Sequence, residues 1–420
     1  MKKKNIFKDK NILILRLPIR EDGSAYKMTN CLVNAFGLKV TYNLKKYLED
    51  NQIPDLIICW GDRHTSYKEC LEARIPYLLI EHDIASYRYG LNEKTYAHDK
   101  ELMENASAVI FTSEGYIDYF DKIKNKYKWD LPKYTTIHNK PLKKDITFIP
   151  RDKLEGLHLV VDGGIIAQWE RKNNPYHYKA YHFIFRKFIE AGWKVHIYPT
   201  KFIPINKLPE YEEIGCILHN WIPGEAIYQE MSQYTAGFQG FNSINTPESA
   251  FQFAQACRPN KIYDFLGAGI PTIGYQGGDG MEIYRDKWGI VIDDLEPETL
   301  AAIPERLKKI KITEKMRNDN VLEKERDKFE YIINVALKEA KNKDRKIYNI
   351  DKNPFRVSIK NPFEKKYPIK ITVENKTPSP ITRINRIFLP KSISEVFSVD
   401  KMDYKQLRAH INLIIKEVEV

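Results

Sequence analysis

A helix stopped by glycine and proline and followed at once by a buried strand belongs to a layered α/β sheet, and residues 259–278, PNKIYDFLGAGIPTIGYQGG, read in this way. Ile262, Phe265 and Leu266 have the three-and-four spacing that buries one helix face. Pro259 and Asn260 suit the first turn, Gly267 to Gly269 with Pro271 end the helix, and Pro271 to Tyr275 form a short buried strand. Unpaired N–H groups and the partial positive charge of a helix start, with Lys261 beside them, make this turn a seat for a phosphate. Asp264, one turn on, offers a carboxylate to a ribose hydroxyl. The helix and strand alone read equally well as an ordinary αβ unit with a glycine cap; Lys261, Asp264 and the Pro-Asn pair favour the phosphate seat.

The rest of the chain repeats short apolar runs between amphipathic stretches. Residues 11–17, 55–60, 77–80, 108–111 and 134–137 read as strands, with helices near 25–36, 66–73, 93–105 and 116–126. That alternation predicts a parallel sheet covered on both faces, with chemistry at the carboxyl ends of the strands. Those ends carry Gly61 to His64, then Glu81-His82-Asp83, then Thr112 to Glu114. His82 and Asp83 are the candidate catalytic pair, since a histidine beside carboxylates can hold a sugar or share a proton with a hydroxyl. A histidine satisfied by loop backbone explains the same residues as well. Asp62 is a second acceptor-side candidate, and Gly23, in the polar turn after the first strand, allows close backbone approach.

A Lys- and Pro-containing linker at 141–153 leads to a second set: a strand at 157–161, a helix across 178–191, strands at 194–198 and 217–218, a helix at 223–233, and strands at 236–241 and 288–292. Gly163 and Gly164 follow the first of these strands and let a ligand approach the backbone. Arg171 and Lys172 come next and read as a cationic clamp for a diphosphate. The polar segment from Asn242 to Glu248 reads as pocket lining. Residues 346–420 read as a small, mostly β appendage with strands at 355–359, 369–373 and 384–389 and a helix at 404–415.

The segment PNKIYDFLGAGIPTIGY resembles the nucleotide-sugar-binding segment of glycosyltransferases with two Rossmann-like domains (the GT-B class), where a Pro-x-Lys-x-x-Glu-Tyr-Leu-Ala-x-Gly-x-Pro pattern precedes a strand. Asp264 stands for the usual Glu and Phe265 for the usual Tyr. The glycine-containing strand end followed by Arg171 and Lys172 is similar to the same class, with Lys172-Asn173 in place of Lys-Gly. The resemblance covers residues 155–300 by motif and the first domain by pattern. It implies two doubly wound parallel-sheet domains facing a cleft, at 1–150 (acceptor side) and 151–345 (nucleotide-sugar side). It also implies a retaining hexosyl transfer from a nucleotide-diphosphate sugar, a UDP-sugar by preference, with Trp221 and Ile222 presenting backbone to the base. Arg171, Lys172, Asn260 and Lys261 would then balance the diphosphate, and no metal is required.

At 420 residues and 49.4 kDa the chain suits two or three domains. The net charge of +11 calls for a polyanionic neighbour. A nucleotide diphosphate meets it, as does an anionic membrane face presenting a polysaccharide or lipid-linked glycan acceptor, or duplex DNA bearing a hydroxylated base, the DNA-modification reading. A non-catalytic binding protein of the same fold is the remaining alternative. Cys31, Cys59, Cys70, Cys216 and Cys257 lack CxxC spacing and read as reduced core residues. No apolar run reaches the length of a membrane span, which gives a cytoplasmic protein, or one peripheral on the membrane inner face, as the expectation. Oligomeric state is left open.

Overall fold

Apolar runs buried on both faces build two six-stranded sheets in which every pairing is parallel. The computed structural model describes residues 7–15, 24–50, 53–61, 66–127, 131–166, 176–201, 203–340, 356–360 and 370–374. The first sheet contains β1 (Ile12–Leu15), β2 (Lys39–Thr41), β3 (Leu56–Trp60), β4 (Tyr77–Glu81), β5 (Ala108–Phe111) and β6 (Tyr134–Thr136) in the order β2-β1-β3-β4-β5-β6. The second contains β7 (His158–Gly163), β8 (Lys194–Pro199), β9 (Ile217–Leu218), β10 (Ala236–Gly240), β11 (Thr272–Tyr275) and β12 (Gly289–Ile292), in the order β12-β11-β10-β7-β8-β9. Every residue of β1, β3, β4 and β5 is buried, so these strands lack the polar alternation of a half-exposed sheet. This is the pair of doubly wound, Rossmann-like sheets expected from the strand and helix alternation.

Helices α1 (Ser24–Phe36), α2 (Leu44–Asp50), α3 (Ser66–Glu72), α4 (Ala85–Arg88), α5 (Glu93–Glu104) and α6 (Glu114–Tyr127) cover the first sheet. With the second run α7 (His182–Glu190), α8 (Pro209–Glu213), α9 (Gly224–Met231), α10 (Glu248–Ala256), α11 (Asn260–Ala268), α12 (Pro297–Leu307) and α13 (Glu314–Asp319). The last, α14 (Arg326–Glu339), returns to the first sheet. Its Phe329, Ile332, Ile333 and Ala336 share one core with Ile14, Ile58, Ile80 and Ile110. The five cysteines are free, four of them buried. Residues 346–420 form a separate unit, in which β13 (Arg356–Lys360) and β14 (Lys370–Glu374) pair antiparallel with Val357 opposite Val373 and Ile359 opposite Ile371. The expected strand at 384–389 and helix at 404–415 lie outside the described residues.

Two features of the second sheet decide where a ligand can bind. The strand order reverses direction between β7, paired with β8 on one side, and β10, paired with β11 on the other. Such a switch point opens a crevice beyond the strand carboxyl ends. Helix α11 then lies directly on β10: a Cβ added to Gly237 would fall 2.3 Å from the Phe265 ring. That approach, allowed only by glycine, sets the position of Lys261 and Asp264 beside the crevice.

Gly237→Ala is therefore expected to cost about 1–3 kcal/mol of unfolding free energy, the range for overpacking a filled core. Gly224→Ala, where nothing lies within 4 Å, should change it by less than about 0.5 kcal/mol. Urea unfolding of both variants checks the contrast.

Candidate nucleotide-binding site

β7 runs out at Gly163, whose φ of 96° is left-handed and suits glycine. Two lysines from different elements reach this strand end. A Cβ on Gly163 would meet Lys261 Cε at 3.5 Å, and one on Gly164 would meet Lys179 Nζ at 3.3 Å. Lys261 is the second residue of α11, whose N-cap Pro259 gives no side-chain cap to the first-turn N–H groups, so Asn260 and Lys261 open the helix beside the glycines. Burial pushes the Lys261 ammonium down to about 8; Asp162 and Asp264 work against this, and Lys179 adds to it. The Lys261 ammonium also lies 5.8 Å from the centre of the Tyr181 ring. A site that holds two ammonium groups close enough to depress one of them is chemically matched to an anion.

Lys179 carries no signal in the sequence. The expected continuous helix across 178–191 is divided instead: His177–Lys179 form a single 3₁₀ turn, and α7 begins at His182. The break has a visible cause. Ala180 is extended, and the Tyr181 N–H, which a continuous helix would direct to its own backbone, donates to Tyr211 Oη at 2.9 Å. Lys179 is thereby turned towards the glycines; its carbonyl accepts from the Ile166 N–H at 3.2 Å, and its ammonium lies 5.4 Å from the Tyr178 ring centre. Arg171, Lys172, Gly23 and Asp62 lie outside the described residues.

Asp264, expected to face a ribose, is buried on the side of α11 that meets the first half of the chain. Its Oδ1 accepts from Tyr228 Oη at 2.5 Å and from Lys27 Nζ of α1 at 2.7 Å. Trp221 and Ile222 sit in the loop between β9 and α9, half-buried, with Lys201 Nζ 5.3 Å from the Trp221 ring centre. Asn242, expected to line a pocket, closes a turn on itself, its side chain bonding both the N–H and the carbonyl of Ile244.

Three histidines, on β7, on β8 and just past the end of β9, lead to the Trp221 loop. His158 Nε2 lies 2.9 Å from the Glu155 carbonyl, which can only accept, so His158 Nδ1 accepts in turn from His196 Nε2 at 2.8 Å. By the same logic His219 Nε2 donates to His196 Nδ1 at 2.9 Å, and the His219 ring stacks on Tyr198 at 4.3 Å. Burial first, then the neighbouring His219, His158 and Lys194, push His196 down to about 3.

On the first half, Asn139 Nδ2 donates to His82 Nδ1 at 3.2 Å, and Tyr116 Oη donates to the His82 carbonyl at 2.7 Å. Asp83 accepts from Arg88 at 2.5 Å, and Arg88 packs against Phe253 of α10. Glu114 pairs with Arg258 at 2.7 Å and with His138 at 3.0 Å; burial works the other way, yet these two partners bring it down to about 2. Ser113 Oγ donates to the Ala256 carbonyl at 2.6 Å. The carboxyl-end residues of the first sheet thus meet the segment just before α11. A separate cavity of about 550 Å³, lined by Phe7, Lys10, Phe36, Lys39 and Asp55 among others, lies at the opposite, amino ends of β1 to β3.

No protein-family model and no curated protein sequence matches the chain. Among solved structures it is similar to HepE of Anabaena in complex with UDP and glucose, at 12% identity and a TM-score of 0.48 over 79% of this chain and 99% of that one. It is similar to the pneumococcal O-GlcNAc transferase GtfA, solved with UDP and GlcNAc (14%, TM-score 0.45, 67% of this chain and 57% of that one). A third is a UDP-forming trehalose-phosphate synthase from Burkholderia xenovorans (11%, TM-score 0.46, 76% and 78%). Among the described residues no cluster of His, Cys, Asp or Glu could hold a metal ion, and no helix is long and apolar enough to cross a membrane.

Two pH dependences follow. Because free Lys261 gives up its proton near pH 8, affinity for inorganic pyrophosphate should fall as pH rises from about 8 to 10, by up to about tenfold per unit. Lys261→Arg, in which only the ligand's own last ionisation remains, should lack that fall; titration calorimetry in matched buffers reads both. His196 stays neutral in the native protein down to about pH 3, whereas in the unfolded chain it takes a proton near its ordinary 6.5. Its contribution to stability is therefore complete above pH 6.5 and is lost as pH falls towards 3, by at most about 1.4 kcal/mol per unit. Urea unfolding of wild type and His196→Phe between pH 7 and 4 should show the wild type losing more.

Proposed function

We propose that the chain is a glycosyltransferase that takes a nucleotide-diphosphate sugar at the carboxyl end of the second sheet and passes the sugar to an acceptor hydroxyl. One observation carries the reading: Lys179 and Lys261, from unconnected elements, converge on the left-handed glycine turn at the sheet's switch point, beside an uncapped helix start. A diphosphate seated there has both charges balanced, and its negative charge grows as the bond to the sugar breaks. Fixed ammonium groups and helix N–H donors therefore stabilise the transition state more than the ground state. The glycosidic carbon–oxygen bond of the donor breaks with its electron pair going to the leaving diphosphate. The acceptor oxygen forms the new bond, and its proton leaves to solvent or base.

Around that centre the remaining roles are proposed from the family pattern that the sequence resembles. Asp264 serves the ribose and the Trp221-Ile222 loop the base, with a UDP-sugar as the donor. Arg171 and Lys172, a few residues beyond Gly164, add cations to the diphosphate. His82, its Nδ1 occupied by Asn139, carries its proton on Nε2 and offers it to a sugar hydroxyl from the first half of the molecule. Transfer with retention to a polysaccharide or lipid-linked glycan is the reaction proposed.

A thermal-shift screen of nucleotide sugars at 1 mM is the first test, since a ligand bound only by the native state raises its stability. At least one UDP-sugar should raise the melting temperature, and Lys179→Ala and Lys261→Ala should each weaken its binding about tenfold or more. A screen in which no nucleotide sugar shifts the transition would sink the reading.

A further inference from the structure

Asp264 and Lys27 form a buried ion pair joining residues 237 positions apart, and each belongs to a different sheet's layer. Lys27 lies on α1, whose Met28, Cys31 and Leu32 pack into the core of the first sheet. Asp264 lies on α11, fixed to the second sheet by Phe265 on Gly237. The third member is Tyr228 of α9, only 1% exposed. Lys27 Nζ donates to both Tyr228 Oη and Asp264 Oδ1 at 2.7 Å, and Tyr228 Oη donates to the same Oδ1 at 2.5 Å. Both bonds to the carboxylate converge on one oxygen. Among the described residues no hydrogen bond reaches Oδ2, which is not fully enclosed and keeps contact with solvent although Asp264 as a whole is only 7% exposed.

A buried carboxylate held by one oxygen is oriented without being saturated. An ionised carboxylate has lone pairs for about four hydrogen bonds, and here two are spent on Oδ1. The other oxygen is left for a donor, one helical turn from the Lys261 ammonium that depends on Asp264 for part of its charge. We infer that Lys27 is a positioning residue for the nucleotide ribose: from the first half of the molecule it fixes the orientation of Asp264 in the second, so that Oδ2 faces the sugar hydroxyls of the bound nucleotide. The inference rests on the donor-site reading above. It adds that ribose recognition is assembled across the two sheets, and that a residue which touches no ligand controls it. Without Lys27 the carboxylate keeps only the Tyr228 hydroxyl and loses the cation that offsets its burial. It then turns or takes up water, and Oδ2 is no longer held in place.

The test compares UDP with 2′,3′-dideoxy-UDP by titration calorimetry on the full chain, for wild type, Lys27→Met and Asp264→Asn. Wild type should favour UDP by about tenfold, and Asp264→Asn should reduce that preference to about twofold. Lys27→Met should do the same, with its melting transition still cooperative; a role confined to stability would weaken both nucleotides alike and leave the ratio untouched. Lys27→Gln carries the same comparison if the Met variant does not fold. A preference in the Lys27 variants equal to that of wild type overturns the inference while leaving the donor site standing. A wild type that binds UDP but does not prefer it over the dideoxy form also overturns it. Absence of UDP binding by wild type overturns the donor-site reading, and this inference with it.

Discussion

The contact of the Phe265 ring with the bare backbone at Gly237 is the constraint on which the rest of the site depends. A helix normally stands off a sheet by the length of the intervening side chains. Where one partner is glycine the gap closes, and the helix start is carried down to the strand ends. That approach brings Lys261 to where a side chain on Gly163 would touch it, at the end of a strand whose last residue has a left-handed backbone. The proposed seat for an anion is thus a packing result first and an electrostatic one second.

The electrostatics are shared between the halves. The cations of the glycine turn, Lys179 and Lys261, belong to the second sheet, while the cation that holds Asp264 belongs to the first. Arg258 and Glu114 repeat the arrangement with the charges reversed, and Arg88 reaches across to Phe253. Buried or half-buried ion pairs of this kind contribute little net stability once desolvation is counted, but breaking one partner is costly. Their effect is to favour one relative placement of the two layers over others.

Much of this was legible in the sequence. The strands were visible because parallel strands buried on both faces are uninterrupted apolar runs. Helix α11 was visible because Gly269 and Pro271 mark its end sharply. β2 and α2 were not anticipated: Lys39–Thr41 is a three-residue edge strand, and Leu44 is the one buried residue of its helix, too little for a periodic signal. Helix α10 was not anticipated: the polar approach, Asn242 to Glu248, was read as pocket lining, and it obscures the apolar face of Ala250, Phe253 and Ala254 that follows. Lys179 was hidden for a different reason. It reaches the glycine turn only because Tyr211, 32 residues on, takes up the Tyr181 N–H and breaks the helix. Lys27 was hidden further still, its partner lying 237 positions away. Local pattern reports burial and turns; it does not report which lone lysine a distant tyrosine or aspartate will select.

The return of α14 to the first sheet bears on how the protein is made. The core around β1, β3, β4 and β5 includes Phe329, Ile332, Ile333 and Ala336, so it is incomplete until nearly the whole of the two-sheet body has left the ribosome. During synthesis the first sheet presents an open apolar face while the second is still being translated. Closure of that face by the last helix then comes late, and it ties the opening half of the chain to the successful folding of everything after it.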